Sequence, residues 1–121
     1  MSIFAGSMAK VILANVSAYQ LKNLMLHHAE ELRVAGLGDN WKEFNANMQK
    51  IRKARVYITR GEVVPELTGV AAPVFDHDRR VQGSITLVVN DTQLDRIGAS
   101  VLSEHIDAAS EAISQQLAQP V

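Results

Sequence analysis

The sequence predicts an α+β domain in which helices pack on an antiparallel sheet, built from a hairpin and a neighbouring strand, and a long helix closes the chain. Three observations predict it. Apolar residues recur at helical spacing from Leu21 to Ile51. Runs rich in β-formers then occupy Val56 to Val89. A helical stripe returns from Leu94 to Leu117.

The elements follow in order. Ser7 is placed to cap a short segment from Met8 to Ala14, apolar on nearly every side apart from Lys10, which is the pattern of a buried helix. Ser17 and Gln20 have the spacing of a capping box, and Val16 and Leu21 that of a hydrophobic staple. Leu21, Leu24, Met25, His28 and Leu32 then form one helical stripe, and Gly36 supplies the left-handed residue that commonly ends a helix. Asn40 caps a third helix with Glu43 in its first turn, and Trp41, Phe44, Met48 and Ile51 face a core.

After Arg55 the period changes. Val56 to Thr59 reads as one strand, and Thr68 to Phe75 and Val81 to Val89 as a hairpin joined through Asp76-His77-Asp78-Arg79-Arg80. Both arms are apolar with little alternation, which predicts that both faces are covered. Pro73 cannot donate to a ladder, so its nitrogen should meet a sheet edge, a bulge or solvent. Thr92 and Asp95 suggest an acidic capping box, opening one long helix that ends before Pro120.

Composition narrows the function. At 121 residues the chain is long enough for one domain with a single core. Twelve basic and thirteen acidic side chains give a net charge of -1, so no global field attracts a phosphate backbone or an anionic membrane. The absence of cysteine removes disulfides, zinc thiolates and thiol nucleophiles, and fits a cytoplasmic setting. No apolar run approaches the length of a membrane span, and the start lacks the pattern of a signal peptide.

Enzyme signatures are missing. Asp76-His77-Asp78 has the residue types of an acid-base or metal cluster but the position of a hairpin turn, and the turn is the expected role. His27 and His28 point about 100° apart on a helix, which prevents joint metal ligation. His27 is expected at the surface, paired with Glu31, and His28 in the core. Gly36-Leu37-Gly38 lacks the third glycine of a dinucleotide loop, and no Gly-x-Ser-x-Gly elbow surrounds a serine. Lys50, Arg52, Lys53 and Arg55 make a basic patch at a helix C-terminus, where a solvated face complementing the dipole is expected.

Three spaced segments carry a family resemblance: Thr59-Arg60-Gly61-Glu62, Gly69-Val70-Ala71-Ala72-Pro73-Val74-Phe75-Asp76, and Gly83-Ser84-Ile85-Thr86-Leu87-Val88. Together with Ala5 to Ala14 and Ala108 to Ser114, they resemble the C-terminal effector-sensing domain of IclR-family transcription regulators over essentially the whole chain. The resemblance implies a GAF-like sensor that is not an enzyme and needs no cofactor or metal. It implies an effector site lined by Ser7, Met8, Thr59, Leu67, Gly69, Thr86 and Val88, with Glu62 nearby. The expected ligand is a small organic acid, carboxylic or aromatic, and the expected assembly is a homo-oligomer. Residues 1–121 would then be a partial effector-binding domain, without the winged helix-turn-helix and first sensor strands of the family. The alternative is a GAF-like or PAS-like sensor of another signalling protein.

Two residues depart from the family pattern, with Arg55 and Arg79 standing where glycine is usual. The near-neutral charge and the lack of a helix-turn-helix predict that this chain does not read duplex DNA. An anisotropy titration at physiological salt should give no sequence-dependent affinity tighter than about 1 μM.

Overall fold

The computed structural model describes residues 6–119. The elements are α1 (Ser7–Ala14), α2 (Ala18–Val34), α3 (Trp41–Ala54), β1 (Tyr57–Arg60), β2 (Leu67–Phe75), β3 (Val81–Asn90), α4 (Asp91–Ile97) and α5 (Ala99–Ala118). The strands form one antiparallel sheet in the order β1-β2-β3. Side chains alternate along each strand, so the two faces of β2 serve two cores. Ala71 packs with Val11, Leu21, Leu32, Phe44 and Met48 from the first three helices. Val70 and Ala72 pack with Val89 and with Leu94, Leu102 and Ile106 from α4 and α5. Each large aliphatic or aromatic side chain removed from water this way contributes about 1.5–3 kcal/mol.

Local signals set most boundaries. At the start of α2, Ser17 Oγ accepts from the Gln20 amide while Gln20 Oε1 accepts from the Ser17 amide, so both halves of the box form. The helix ends in a Schellman motif: Gly36 takes φ 76, its amide donates to Arg33 O, and the Leu37 amide donates to Leu32 O. Leu32 and Leu37 are both buried, which supplies the apolar contact of that motif. Asn40 Oδ1 caps α3 by accepting from the Glu43 amide.

Four expectations are corrected. The N-cap of α1 is Gly6 at φ 91, with no side-chain cap bond, and Ser7 is the first helical residue. Gly6 accepts this φ at no steric cost, which leaves Ser7 free to turn inward. The terminal helical stripe is two helices, because Gly98 at φ 93 interrupts it, and α4 is capped by Asn90 and Gln93 rather than Thr92 and Asp95. His28, not His27, pairs with Glu31, where a non-helical backbone at His28 turns its ring out. The hairpin is covered unevenly: β2 is buried along most of its length, whereas β3 lies at the sheet edge and exposes Leu87 and Val88.

The two departures from glycine fall on strained backbone, since Arg55 and Arg79 both have φ 64. Arg55 sits in a γ-turn with ψ -47, closed by the Val56 amide donating to Ala54 O. Its guanidinium reaches α5 and meets Asp107 at 3.0 Å and Glu111 at 3.3 Å, which anchors the turn that changes helix into strand. Arg79 lies over the Phe75 ring, 5.4 Å from its centroid.

Pro73 fits through the ladder's parity. The Gly61 amide donates to Leu67 O, so the odd-numbered residues of β2 direct their backbone groups toward β1. Yet β1 reaches only to the Tyr57–Ala71 pair, and Pro73 lies past its end. There α5 replaces the strand: Ser110 Oγ donates to Pro73 O, and the Phe75 amide donates to Ser114 Oγ. The missing proline N–H therefore removes no ladder bond.

The approach of α1 to the sheet is closest at Gly69. A Cβ there would lie 2.6 Å from Ser7 Oγ and 3.3 Å from Thr59 Oγ1. Gly69→Ala is expected to cost about 1–3 kcal/mol by overpacking. Adding Ser7→Ala should restore a large part of the loss by removing the nearer atom. Urea denaturation of both single variants and the double variant checks this coupling, and purely additive effects would locate the cost elsewhere.

Candidate functional site

The strand residues expected at the site share one face. In register, Thr59 pairs with Gly69 and Gly69 with Val88, while Leu67 and Ala71 flank Gly69 on the same side and Thr86 lies beside Ala71. Period-two alternation therefore brings Thr59, Leu67, Gly69, Thr86 and Val88 to the face that α1 covers. Ser7 reaches this face from above, and it and Thr59 are buried, at 3% and 6% exposure.

The helix terminus supplies donors. The Lys10 amide closes the first turn on Gly6 O, and the capping residue contributes no side chain. The amides of Ser7, Met8 and Ala9 precede that first intrahelical bond, so the terminus offers backbone donors and the positive end of a short dipole. Two hydroxyls on the covered face lack partners: Ser84 Oγ and Thr86 Oγ1 are buried without a hydrogen bond. An unsatisfied buried hydroxyl costs about 1–3 kcal/mol, so two of them on one strand mark a place suited to a polar ligand. Ser84 was not among the expected residues. Its signal is parity, since it stands two residues from Thr86 on the same strand face.

Glu62 has a different role from lining a free wall. It sits in the β1–β2 connection, where its carboxylate pairs with Lys10 Nζ. Lys10 was expected only as a break in an apolar helix, yet its side chain is 5% exposed and its charge is neutralised across 52 positions of sequence. A buried ammonium needs such a partner, so the pair ties the β1–β2 connection to α1. Val63, in the same connection, would touch a Cβ placed on Gly6 at 3.3 Å.

The site is an open cradle. Met8 and Val88 are 55% and 57% exposed, so neither closes an apolar wall among the described residues. None of the eight expected residues lines the larger cavities. A cleft of about 1390 Å³ lies toward the other end of α1, between the hairpin tip and α5, with Arg52, Arg55, Arg79 and Glu111 on its walls. A shallow apolar depression of about 470 Å³ lies between α1 and α2.

The acid-base and metal readings find no support. Among the described residues, no group of three or more His, Cys, Asp and Glu is placed to hold a metal ion. Asp76 organises the hairpin turn instead, accepting from the amides of Asp78 and Arg80 and from Gln82 Nε2. The Arg80 amide above all holds its carboxyl below the usual range. Arg52 and Arg55 are structural as well as solvated: Arg52 Nε donates to Ala14 O at the end of α1, and Arg55 pairs with α5.

The family model described as bacterial transcriptional regulator IclR C-terminal matches residues 1–115. No protein of curated function matches the sequence significantly. Among solved structures, the chain is similar to the C-terminal domain of a transcriptional regulator from Vibrio cholerae, with TM-score 0.68 and 21% identity over 88% of this chain and 60% of that one. It is also similar to HmgR of Pseudomonas aeruginosa, with TM-score 0.71 and 24% identity over 97% of this chain and 45% of that one. An IclR-family regulator from Rhodococcus gives TM-score 0.74 and 18% identity over 96% of this chain and 43% of that one. The chain thus spans less than two-thirds of the length of each of these structures. These likenesses establish the fold, and the family match over 115 of the 121 residues selects the regulator family over other GAF-like or PAS-like sensors. The chain belongs to the IclR C-terminal family of bacterial transcriptional regulators.

Proposed function

We propose that this chain is the ligand-sensing and self-associating part of a transcription regulator, and that it binds a small organic acid without covalent chemistry, metal or cofactor. The observation that carries the reading is the pair of buried, unpartnered hydroxyls of Ser84 and Thr86 on the face that α1 covers. Ser7, Thr59 and Gly69 converge on the same face, and the first amides of α1 lie beside them. A carboxylate suits the helix terminus, and the hydroxyls suit a second polar group of the ligand. Leu67, Met8 and Val88 offer apolar surface to its carbon skeleton, while Glu62 acts through Lys10. DNA contact would belong to a winged helix-turn-helix outside residues 1–121. No helix among the described residues is long and apolar enough to cross a membrane, and work in the cytoplasm suits a regulator.

A saturating aromatic or aliphatic monocarboxylate should raise the stability of the chain, by about 2.7 kcal/mol at one hundred times its dissociation constant. Met8→Pro removes an early amide that makes no intrahelical bond, since the first such bond is that of Lys10 to Gly6 O, and Met8→Ala controls for the side chain. Calorimetric titration with benzoate should show weaker binding for the proline variant alone. Equal binding by both variants would exclude the helix terminus as the carboxylate site.

Apolar side chains left open on α5, such as Val101, Ile113 and Leu117, support the self-association reading. The assembly proposed is a homodimer or homotetramer. Light scattering at tens of micromolar should report it, and a stable monomer would refute it.

A further inference from the structure

We propose that Lys10 is an anion-binding group at the edge of the candidate site whose position is taken by the chain's own Glu62, so that the pair confines the site to ligands carrying a single acid group. The proposal rests on the reading of the site as one for small organic acids and assigns what selects among them.

Lys10 belongs to the site by its place on α1. Ser7, Lys10, Val11 and Ala14 follow the three- and four-residue spacing of one helix face, and all four are buried. Ser7 Oγ stands against Gly69, and Lys10 follows one turn along the same stripe. Its partner arrives from β1, since Glu62 lies three residues after Thr59 and just past the end of that strand. The ion pair therefore flanks the site on the side of β1, whereas the lone hydroxyls of Ser84 and Thr86 stand on the side of β3.

The two partners are not held equally. The Lys10 side chain is 5% exposed and rises from a regular helix, whereas that of Glu62 is 29% exposed and stands in a connection without helix or strand. The ammonium is thus a fixed feature of the fold, and its carboxylate partner is a replaceable one. An enclosed ammonium requires an anion beside it, and Glu62 is the acidic residue paired with it among the described residues. A ligand carboxylate has the same chemistry as that of Glu62, two acceptor oxygens sharing one negative charge.

Selectivity follows from the exclusion of like charge. The early amides of α1 suit one acid group, as neutral donors at the positive end of a dipole. A second acid group needs a cation, and Lys10 is the buried cation among the described residues. With Glu62 in place, that second group meets a negative charge beside an ammonium already neutralised. Such a repulsive element discriminates between ligands that share their remaining contacts.

The test compares pentanoate with glutarate, which share a five-carbon chain and differ by one terminal carboxylate. Calorimetric titration of the full chain should give pentanoate the higher affinity. Glu62→Gln frees the ammonium at nearly constant side-chain size and should raise the ratio of glutarate to pentanoate affinity at least about tenfold. Adding Lys10→Met should cancel the gain. Glu66→Gln makes the same change of net charge at an exposed position of the same connection and should leave the ratio as it was. In a second measurement, Glu62→Ala should melt at a lower temperature and recover in sodium acetate beyond what sodium chloride of equal ionic strength restores, with no such recovery once Lys10→Met is added. A ratio that Glu62→Gln leaves unchanged, or that Glu66→Gln changes equally, overturns the selectivity. Acetate that acts alike with and without Lys10 overturns the anion site. The small-acid reading fails separately, if the unmodified chain binds neither pentanoate nor benzoate, and glutarate binding by Glu62→Gln then still decides the role of Lys10. Should Glu62→Gln fail to fold, the acetate comparison on Glu62→Ala decides.

Discussion

The contact on which the rest of the structure depends is the close approach of α1 to the sheet at Gly69. Ser7 Oγ occupies the space where any other residue would carry its Cβ. Ala71, the next position on this face, is also small and fully buried beneath the helices. Small residues on the central strand let α1 lie low on the sheet, and α3 then packs along α1 with Phe44 and Met48 completely excluded from water. A larger side chain on this row would lift α1, open the first core and move the helix terminus away from Thr59. The same contact therefore sets the packing and the candidate site.

The other face is held by a different device. β2 outruns β1, and its backbone beyond Ala71 would be left without a ladder partner. Ser110 and Ser114, one turn apart on α5, take the role of the missing strand at Pro73 and Phe75. Arg55 adds a polar anchor from the γ-turn before β1 to Asp107 and Glu111 on the same helix. These ion pairs are exposed and contribute little energy individually, so their effect is on geometry more than on stability. The strained φ at Arg55 persists because both flanking elements are fixed by their own cores.

The electrostatics of the candidate site follow from burial. Lys10 is enclosed by the packing of α1 and is neutralised by Glu62, which brings the β1–β2 connection over the start of the helix. The polar groups that remain for a ligand are neutral: early helix amides and the hydroxyls of Ser84 and Thr86. These are the groups that the proposed carboxylate ligand would use.

The sequence by itself determined the features whose information lies within a few residues. The Ser17–Gln20 box, the Asn40 cap, the Gly36 stop and the Asp76 turn each join groups two to five positions apart, and each formed as its motif required. The family resemblance named Thr59, Gly69, Thr86 and Val88, and the strand register is what brings them to one face. Only the tertiary structure decided the rest. Whether Gly6 or Ser7 capped α1 depended on Ser7 being drawn onto Gly69, far along the chain. The terminal stripe looked continuous because Leu94, Leu102 and Ile106 all face one core, yet Gly98 turns the chain between them. The role of Glu62 and the lone hydroxyl of Ser84 arise from neighbours that only folding brings together or leaves out. Local motifs are legible because their partners are fixed by backbone geometry, whereas a long-range partner is chosen by packing.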